Sequence, residues 1–482
     1  MEKFYITTPI YYVNDVPHIG HAYTTLAADV LARFYRGLLG KEKVFFLTGT
    51  DEHGANVAQA AEKHGKSPRE YADEVAPRFQ EAWETLGIKP DYFIRTTDPR
   101  HEKIAQQILQ EIYDKKYIYP GTYEGWYCIG CEKFLTETEV VGGKCPLHPT
   151  REPVYQKEKN YFLKLEELSK KVLKKIEAGE YKILPEERHN EVVSRLRSGV
   201  RDISISRAGV SWGIPVPWDS SQTIYVWVEA LFNYYSATRF LENKEVFWPP
   251  DLQIMAKDIL WFHSVIWQAL LIAADLSLPK TIFAHGFFTL DGAKMSKSLG
   301  NVISPQELVK KYGQDGARYL LMSQYPFGSD GDISLSRFTE KYNSDLANGL
   351  GNLVSRVAKL CEPFDPKELV ETRENRSIRE IKSFLVDPQH PNFLRIDLAL
   401  DLIWGKIRGL DGYINRERPW EKETGDRKKI LGEIIKGTEA LTSLFEIITT
   451  LEPFMPETSK KMLSIFSGNK IVMPVEPLFP RI

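Results

Sequence analysis

Apolar residues at the start of the chain switch repeatedly between strand-like and helix-like spacing. The run "FYITTPI", from residue 4, predicts a strand, and residues 20–39 repeat apolar side chains with the period of a helix. "KVFFLTGTDEHG" then predicts a buried strand that leads into a loop, and "ANVAQAAEKHG" predicts a helix that stops at Gly65. Strand, helix, strand, helix indicates a parallel α/β sheet, whose ligands bind at the carboxyl ends of the strands.

The alternating pattern breaks in the middle of the chain and resumes later. Residues 116–222 are rich in glycine, cysteine and charged residues, which predicts an insertion into the α/β sheet. Alternation returns over 223–290, and from about residue 340 the apolar spacing is helical to near the end. The predicted fold class is therefore α/β, with an inserted segment and a C-terminal α-helical bundle.

Composition and charge narrow the class of protein. The 482 residues are 43% hydrophobic and 27% charged, which predicts a globular protein of about two to four domains. The net charge of −2 gives no global attraction to nucleic acid, so such binding would need local patches. A strand at residue 4 leaves no room for a signal peptide, and no apolar run is long enough to span a membrane. Four cysteines in so long a chain argue against a disulfide framework, so we expect a cytoplasmic protein.

The stretch "VPHIGHAY", residues 16–23, places His18 and His21 around Gly20 just after a predicted strand. Three interpretations compete at this point. The two histidines simply begin a helix, or they bind a metal together with the acidic and histidine side chains of "TDEHG" at 50–54. In the third interpretation, two imidazoles and a bare glycine backbone receive a nucleotide phosphate at a helix N-terminus.

A second candidate phosphate site is "DGAKMSKSLGN" at 291–301. Asp291–Gly292 predicts a turn after a strand, and Lys294 and Lys297 follow in a small, polar loop. Such a loop is usually just solvated. The alternative is a mobile clamp whose ammonium groups neutralise the charge that builds on a departing pyrophosphate.

The inserted segment carries a metal-binding pattern. Cys128 and Cys131 are followed, after thirteen residues, by Cys145 and then His148, so two pairs of ligands could close a tetrahedral zinc site. The alternative is unconnected thiols and a surface histidine, which the paired spacing makes the weaker interpretation. We expect one structural zinc per chain, which would stiffen a small insertion with little core of its own. Cys361 stands apart and is predicted to be an inert buried thiol.

"HIGH" at 18–21 and "KMSKS" at 294–298, on two halves of a split nucleotide-binding fold, resemble the two signatures of class I aminoacyl-tRNA synthetases. Within that class the chain is similar to the methionyl-tRNA synthetase family along almost its whole length. The match runs through "TTPIYYVNDVPHIGHAYT", "FLTGTDEHG", "YVWVEALFNYYSA", "KDILWFHSVIW" and "NSDLANGLGNLVSR". The resemblance favours the phosphate interpretation of the two histidines over the helix-start and metal interpretations.

The resemblance also implies a domain organisation. It predicts a Rossmann-type parallel-sheet catalytic domain in two halves, separated by a connective insertion with a zinc knuckle. The expected boundaries are 1–115 and 223–290 for the catalytic halves, 116–222 for the insertion, 291–345 for the KMSKS loop and stem-contact region, and 346–482 for a helical anticodon-binding domain.

The activity implied by the resemblance has two steps. The methionine carboxylate joins the α-phosphorus of ATP and releases pyrophosphate, and the methionyl group then passes to the 3′ end of tRNA(Met). The carboxylate is already a nucleophile, so the first step needs alignment and charge stabilisation rather than a general base, with Mg²⁺ on the ATP. The implied catalytic residues are His18, His21, Lys294 and Lys297, and the implied ATP-binding residues are Gly20, Asp258, Ser296 and Ser298.

Aromatic residues in the second half of the sheet are candidates for the amino-acid pocket. A helix over 227–235 would place Trp227, Ala230 and Tyr234 on one face, and His263 and Trp267 are four residues apart on another segment. The residue types and their spacing alone also fit a plain hydrophobic core. The thioether of a methionine ligand would nevertheless pack well against aromatic side chains. The resemblance implies a methionine pocket, with Asp51 pairing with the ammonium group. Its residues would be Pro9, Ile10, Tyr12, Asp51, Trp227, Ala230, Leu231, Tyr234, Ile259 and His263.

The helical C-terminal region holds candidates for reading tRNA. "NLVSR" and "YINRERPW" resemble the family's anticodon readers, which assigns Asn352, Arg356 and Trp420 to the CAU anticodon. An indole can stack on an unpaired base while an amide and a guanidinium read base edges. We expect no added C-terminal oligonucleotide-binding (OB-fold) domain, and therefore a monomer, with a separate tRNA-binding subunit as a possible partner.

Two other kinds of function are compatible with parts of the sequence, namely that of another class I synthetase and that of an inactive tRNA-binding relative. The cysteine synthetase shares both signatures but would need zinc ligands beside its active site, and the isoleucine, valine and leucine enzymes need a larger insertion than the roughly 270 residues between "HIGH" and "KMSKS" allow. A catalytically inactive tRNA-binding relative is disfavoured by the intact histidines and lysines of both signatures. The chain departs from the family pattern at Val228, Glu229 and Leu231, where some members carry Leu, Asp and Pro.

Overall fold

The structure is a computed structural model of the chain. It describes residues 2–128, 133–135, 140, 142–146, 152–294, 302–365, 369, 379–438, 441–467, 470–471 and 476–482. The strands are β1 Phe4–Tyr12, β2 Val44–Asp51, β3 Tyr92–Arg95, β4 Ile118–Cys128, β5 Lys133–Leu135, β6 Val154–Leu163, β7 Lys182–Leu184, β8 Ile203–Ser204, β9 Ser206–Arg207, β10 Pro215–Val216, β11 Asp219–Ile224, β12 Leu252–Ala256, β13 Thr281–His285, β14 Phe288–Leu290, β15 Ala293–Lys294 and β16 Gly331–Ile333.

Helices alternate with the strands in the first part of the chain and dominate the last part. The α-helices are α1 Ile19–Leu39, α2 Ala55–Lys63, α3 Pro68–Thr85, α4 Pro99–Asp114, α5 Leu165–Glu177, α6 Glu186–Arg197, α7 Val226–Leu231, α8 Asn233–Phe240, α9 Trp267–Ala273, α10 Pro305–Tyr312, α11 Gln314–Ser323, α12 Leu335–Lys341, α13 Asn352–Cys361, α14 Arg379–Val386, α15 Ile396–Glu417, α16 Thr424–Lys436, α17 Leu444–Leu451 and α18 Pro456–Ser467. Shorter helical turns occupy Lys41–Lys43, Glu245–Phe247, Lys257–Ile259 and Pro419–Glu421, and π-helical turns occupy Phe262–Ile266 and Tyr342–Gly351.

The main sheet confirms the predicted parallel α/β class. Its strand order is β3-β2-β1-β12-β13-β7, and β1 pairs in parallel with both β2 and β12. The order runs outward from β1 in both directions, so the topological switch point lies between β1 and β12. In open parallel sheets, ligands bind outside the carboxyl ends of the strands at this point.

Local sequence signals explain where several helices begin and end. Helix α2 stops just before Gly65, which has a φ of +65°, as the predicted glycine stop requires. Asp98 accepts a hydrogen bond at the start of α4, whose first residue is Pro99. Ser304 and Glu307 form a reciprocal capping box at the start of α10.

Strand β1 is irregular near its carboxyl end. Its pairing with β2 shifts register between Thr7 and Ile10, and Pro9, which has no N–H to donate, lies inside this shift. A shift of this kind bends a strand and turns its later side chains. The irregularity therefore falls on the end of β1 that the sequence assigned to ligand binding.

The predicted insertion, 116–222, is only in part a separate layer. Strands β5, β4, β6 and β8 form an antiparallel sheet, in which β4 and β6 pair from Ile118–Leu163 to Tyr127–Val154. The same stretch also contains β7, which pairs in parallel with β13 at the edge of the main sheet. The chain therefore returns to the main sheet inside the segment predicted as an insertion, because a short strand such as β7 carries too little apolar periodicity to be recognised.

The chain divides into two compact units. The first comprises Met1–Pro17, Leu38–Trp83 and Lys89–Ala284, and the second comprises His18–Gly37, Glu84–Ile88 and His285–Ile482. The core of the first unit is a large cluster of buried apolar side chains from the main sheet and its helices, among them Tyr5, Phe45 and Trp267. Among the described residues, no helix combines the length and apolar composition that a membrane crossing requires.

A fully buried arginine stabilises the second unit. The Arg318 guanidinium, on α11, lies 2.8 Å from the Asp29 carboxylate of α1. It also donates hydrogen bonds to the backbone carbonyls of Leu86, Pro453 and Phe454. A buried charge that is paired and fully hydrogen-bonded is tolerated, whereas removing either partner of such a pair is strongly destabilising. Asp29 and Arg318 thus tie the helix that follows the "HIGH" signature to the helices after residue 314.

Candidate active site

The first unit gathers the predicted methionine residues from several elements around one core. Pro9, Ile10 and Tyr12 end β1, Asp51 ends β2, and the others follow from α7 to the π-helical turn after β12. The apolar side chains of Leu231 and Tyr234 belong to the main core cluster. Partly buried side chains pack against that cluster, namely those of Ile10, Tyr12, Trp227 and Ile259.

Tyr234 and His263 form a buried hydrogen-bonded pair. The Tyr234 hydroxyl lies 2.8 Å from Nε2 of His263, and Nδ1 of His263 lies 3.0 Å from the Ile259 carbonyl oxygen. A carbonyl only accepts, so Nδ1 carries the ring proton and Nε2 accepts from the tyrosine. Burial lowers the pKa of His263 to about 4, which keeps the imidazole neutral at physiological pH. This wall of the candidate pocket is therefore polar but uncharged.

The helix predicted over 227–235 is interrupted, which corrects the sequence analysis. The amide of Phe232 bonds to the carbonyl of Glu229, and that of Tyr235 bonds to the carbonyl of Phe232, so the chain tightens into three-residue turns between α7 and α8. Trp227 stacks on Phe262, with ring centres 4.4 Å apart and planes 19° from parallel. Phe262 begins a π-helical turn, a distortion that is common at functional sites.

Asp51 is the acidic group of this cluster. It is buried at the end of β2, and its backbone carbonyl accepts a hydrogen bond from the amide of Val13. The pKa of Tyr234 is raised, chiefly by burial and further by the charges of Tyr11 and Asp51. A carboxylate near this aromatic wall is the group that an amino-acid ammonium would pair with.

The "HIGH" histidines lie in the second unit, at the start of α1. The backbone amide of Gly20 donates to Nδ1 of His18, at 3.0 Å, and that of His18 donates to Nδ1 of His21, at 3.2 Å. The centroids of the two imidazole rings are 3.9 Å apart. Since Nδ1 accepts in both rings, each neutral imidazole carries its proton on Nε2, a donor of the kind that phosphate oxygens accept. The geometry therefore supports the phosphate interpretation.

The turn predicted before the second signature is confirmed. Asp291 and Gly292 both have positive φ, +50° and +78°, and they join β14 to β15 as a tight hairpin turn. Lys294 pairs through its backbone with Thr289. Ser296, Lys297 and Ser298 lie outside the described residues, as does Asn301 at the end of that stretch.

Two of the four predicted zinc ligands lie within the described residues. Cys128 and Cys145 are both buried in one small cluster with Leu135, so two residues separated by seventeen positions are brought together in the inserted sheet. Cys131 and His148 lie outside the described residues. The two thiols fit a zinc knuckle, because soft sulfur ligands held close together are its usual donor set.

Two of the three predicted anticodon residues are in contact. The guanidinium carbon of Arg356 lies 4.9 Å from the centre of the Trp420 ring, and Trp420 is 44% exposed. Arg356 also donates to Asp411 at 3.0 Å and to Asn415 at 2.7 Å. Asn352 is exposed one helical turn before Arg356, so all three side chains belong to one side of the helical region.

A buried ionic network lies beside the predicted methionine residues and is not evident from the sequence. Glu229 accepts hydrogen bonds from His53 and His101, and Glu52 accepts from Arg95 and from two threonines. Spacing along the chain gives no signal for these contacts, since the partners come from distant segments. Within the described residues, no group of three or more His, Cys, Asp or Glu side chains is placed to hold a metal ion.

Comparisons with known proteins agree with this fold and these motifs. The family described as tRNA synthetases class I (M) matches residues 4–152 and 148–358. A methionine–tRNA ligase of Clostridium acetobutylicum is 42% identical over 513 residues, which cover 100% of this chain and 78% of that protein. The corresponding ligase of Caldanaerobacter subterraneus is 43% identical over 473 residues, covering 96% and 73% respectively.

A solved structure is similar over the full length. The Mycobacterium tuberculosis methionyl-tRNA synthetase in complex with methionyl-adenylate superposes with a TM-score of 0.85 and 33% identity, covering 100% of both chains. The parallel sheet, the two signatures and these matches define a class I tRNA synthetase. Within that class, the chain belongs to the methionine–tRNA ligase family.

Proposed function

We propose that the chain activates L-methionine with ATP and transfers it to tRNA(Met), and that the aromatic cluster of the first unit selects methionine. The observation that carries the assignment is the uncharged, buried Tyr234–His263 pair. Trp227 packs against the core cluster that contains Tyr234, and the Asp51 carboxylate acts electrostatically on Tyr234. A neutral aromatic wall suits a thioether, and a carboxylate suits an ammonium group. Leu231 and Ile259 would complete the apolar lining.

We assign the ATP phosphates to the two "HIGH" histidines. Each presents an Nε2–H donor, and His18 directly precedes the N-terminus of α1, where backbone amides favour anions. Lys294 and Lys297 would neutralise charge on the departing pyrophosphate, and Mg²⁺, as the counter-ion of ATP, would reduce its charge further. Asp258, exposed in the turn directly after β12, is assigned to the ribose, while Gly20, Ser296 and Ser298 would line the nucleotide.

The remaining assignments concern tRNA and zinc. We assign anticodon reading to Asn352, Arg356 and Trp420, because an exposed indole under a guanidinium suits base stacking. The four predicted ligands would hold a structural zinc, with no part in the reaction. The domain boundaries, a monomeric state, a separate OB-fold subunit and a cytoplasmic location stay predictions.

The test is ATP–pyrophosphate exchange with each standard amino acid, followed by charging of tRNA(Met). We expect exchange with methionine alone at comparable concentration, and transfer to tRNA with a CAU anticodon. An inactive tRNA-binding relative would bind tRNA but show no exchange with any amino acid. Exchange with cysteine, isoleucine or valine in place of methionine would overturn the assignment of the pocket.

A further inference from the structure

We propose that Glu229 is a positioning residue for methionine binding, which acts through His53 and His101. This inference rests on the proposed function, which places Trp227 and Asp51 at the methionine. Glu229 lies on the same short helix as Trp227, and His53 follows Asp51 by two residues. Glu229 therefore joins the two segments that would have to hold a fixed separation for methionine to fit between them.

The carboxylate of Glu229 is fully buried and both of its oxygens are used. One oxygen lies 2.9 Å from Nδ1 of His53, in the loop after β2. The other lies 3.0 Å from Nε2 of His101, on α4. An ionised carboxylate only accepts, so both rings donate, and three separate elements are fixed by one side chain.

Further bonds fix the two histidines. Ser236, on α8, lies 2.8 Å from Nδ1 of His101. The backbone carbonyl of His53 accepts from the hydroxyl of Tyr12, at 2.9 Å, and Tyr12 is itself assigned to methionine. The network therefore extends from α4 and α8 to the end of β1. All of these residues belong to the first unit.

Charge makes the network sensitive to protonation. Burial alone would lower the pKa of His53, but the carboxylate of Glu229, helped by those of Glu102 and Glu52, raises it above its ordinary value. The second ring nitrogen of His53 lies 3.7 Å from Glu102, which is partly exposed. The two histidines in turn lower the pKa of Glu229 against the effect of burial. Deprotonating His53 removes positive charge from beside a buried carboxylate, and we expect α7 to be held less firmly as a result.

The test uses Glu229→Gln, which keeps the size of the side chain but removes its charge. We expect KM for methionine in pyrophosphate exchange to rise about tenfold, while kcat and KM for ATP change by less than about threefold. In the unmodified chain, KM for methionine should rise as pH increases from about 6 to about 9, and His53→Gln should abolish that dependence. Glu229→Asp retains the charge and should retain the pH dependence.

Two control variants separate the possible outcomes. Glu102→Gln removes the charge of the partly exposed neighbour of His53 and should shift the pH dependence only slightly.

Trp227→Ala tests the pocket itself. If this variant leaves KM for methionine unchanged, the proposed function of the pocket is wrong. If Trp227→Ala raises that KM but Glu229→Gln does not, only the positioning role is wrong. A parallel rise in KM for methionine and for ATP, or a pH dependence that persists in His53→Gln, also overturns it. If Glu229→Gln does not fold, the His53→Gln measurement decides.

Discussion

The hydroxyl of Tyr234 donates to Nε2 of His263 across 2.8 Å, and both side chains are buried. The proton on Nδ1 is committed to the carbonyl of Ile259, so the direction of each bond is fixed. The ring stays neutral because burial lowers the pKa of His263 to about 4. A histidine in this state would line the proposed methionine pocket as a polar but uncharged group.

Tyr234→Phe tests this relationship. Loss of the hydroxyl leaves a buried nitrogen acceptor without its donor, which we expect to lower the free energy of unfolding by about 1–3 kcal/mol. KM for methionine should rise while KM for ATP stays the same. Tyr235→Phe is the matched control, since Tyr235 packs edge-on against Trp248 and is not assigned to the pocket. Equal methionine KM values for the two variants would remove Tyr234 from the pocket.

His285 provides a test of pH dependence in the second unit. Its Nε2 accepts from Thr24 at 2.6 Å, its Nδ1 donates to Gly286 at 2.7 Å, and burial lowers its pKa to about 4. The folded-state pKa lies below the ordinary value, so this contribution to stability is complete above about pH 6.5 and is lost as pH falls toward 4. The loss should amount to roughly 3 kcal/mol.

His285→Gln can still accept from Thr24 through its amide oxygen but cannot take up the proton. We expect its thermal midpoint to fall less steeply than that of the unmodified chain between about pH 6.5 and about pH 4, measured by scanning calorimetry. Other groups titrate in this range in both proteins, so the difference between the two curves is the relevant quantity. Superimposable pH curves would show that His285 does not contribute.

Lys297→Ala tests the role of the second signature. Because the ammonium group should act mainly on charge that develops in the transition state, kcat for adenylate formation should fall while KM for methionine stays nearly unchanged. Pyrophosphate exchange measures both constants. Full activity in the variant would exclude a clamp role for this lysine.

Local signals were sufficient to predict the first elements of the sheet. The run from residue 4 forms β1, the buried run after residue 43 forms β2, and Gly65 follows the end of α2 as predicted. The turn at Asp291–Gly292 was equally local, since aspartate followed by glycine suits two positive φ angles. Strong apolar periodicity and turn residues carry this information within a few positions of the chain.

Long-range contacts could not be predicted in the same way. Nothing in the spacing around Glu229 indicates that its carboxylate meets His53 and His101, since these residues come from three separate segments. The sequence around Arg318 likewise gives no sign that its side chain is fully buried against Asp29. The break at Phe232 was likewise not predicted. A buried charge is stabilised by its partners, and the topology of the fold determines which side chains become those partners.

The zinc prediction is tested by metal analysis. Purified chain should contain about one zinc per molecule, and Cys145→Ser should lower that content substantially, because a structural site needs all four ligands. Cys361→Ser is the matched control. Burial raises the pKa of Cys361 to about 12, so this thiol stays protonated and should bind no metal. A zinc content unaffected by Cys145→Ser, or no zinc at all, would contradict the knuckle.

Trp420→Ala tests anticodon reading. Trp420 is 44% exposed and its ring lies beneath the Arg356 guanidinium, a position from which it can stack on an unpaired base without rearrangement of the core. Loss of one stacked base costs about 1–3 kcal/mol. We therefore expect charging of tRNA with a CAU anticodon to fall by about tenfold or more, while pyrophosphate exchange without tRNA is unchanged.

Further hydrogen bonds of Arg356 support the assignment of Trp420 to the anticodon. It is bonded to Asp411 and Asn415, so its contact with Trp420 is part of a fixed arrangement and not a chance approach of two surface side chains. Trp420→Phe keeps an aromatic face and should retain most of the charging activity, whereas Trp420→Ala should not. A variant that is misfolded would lose exchange as well as charging, which the paired measurement detects. If charging survives Trp420→Ala intact, or if exchange falls in parallel with charging, this tryptophan does not read the anticodon.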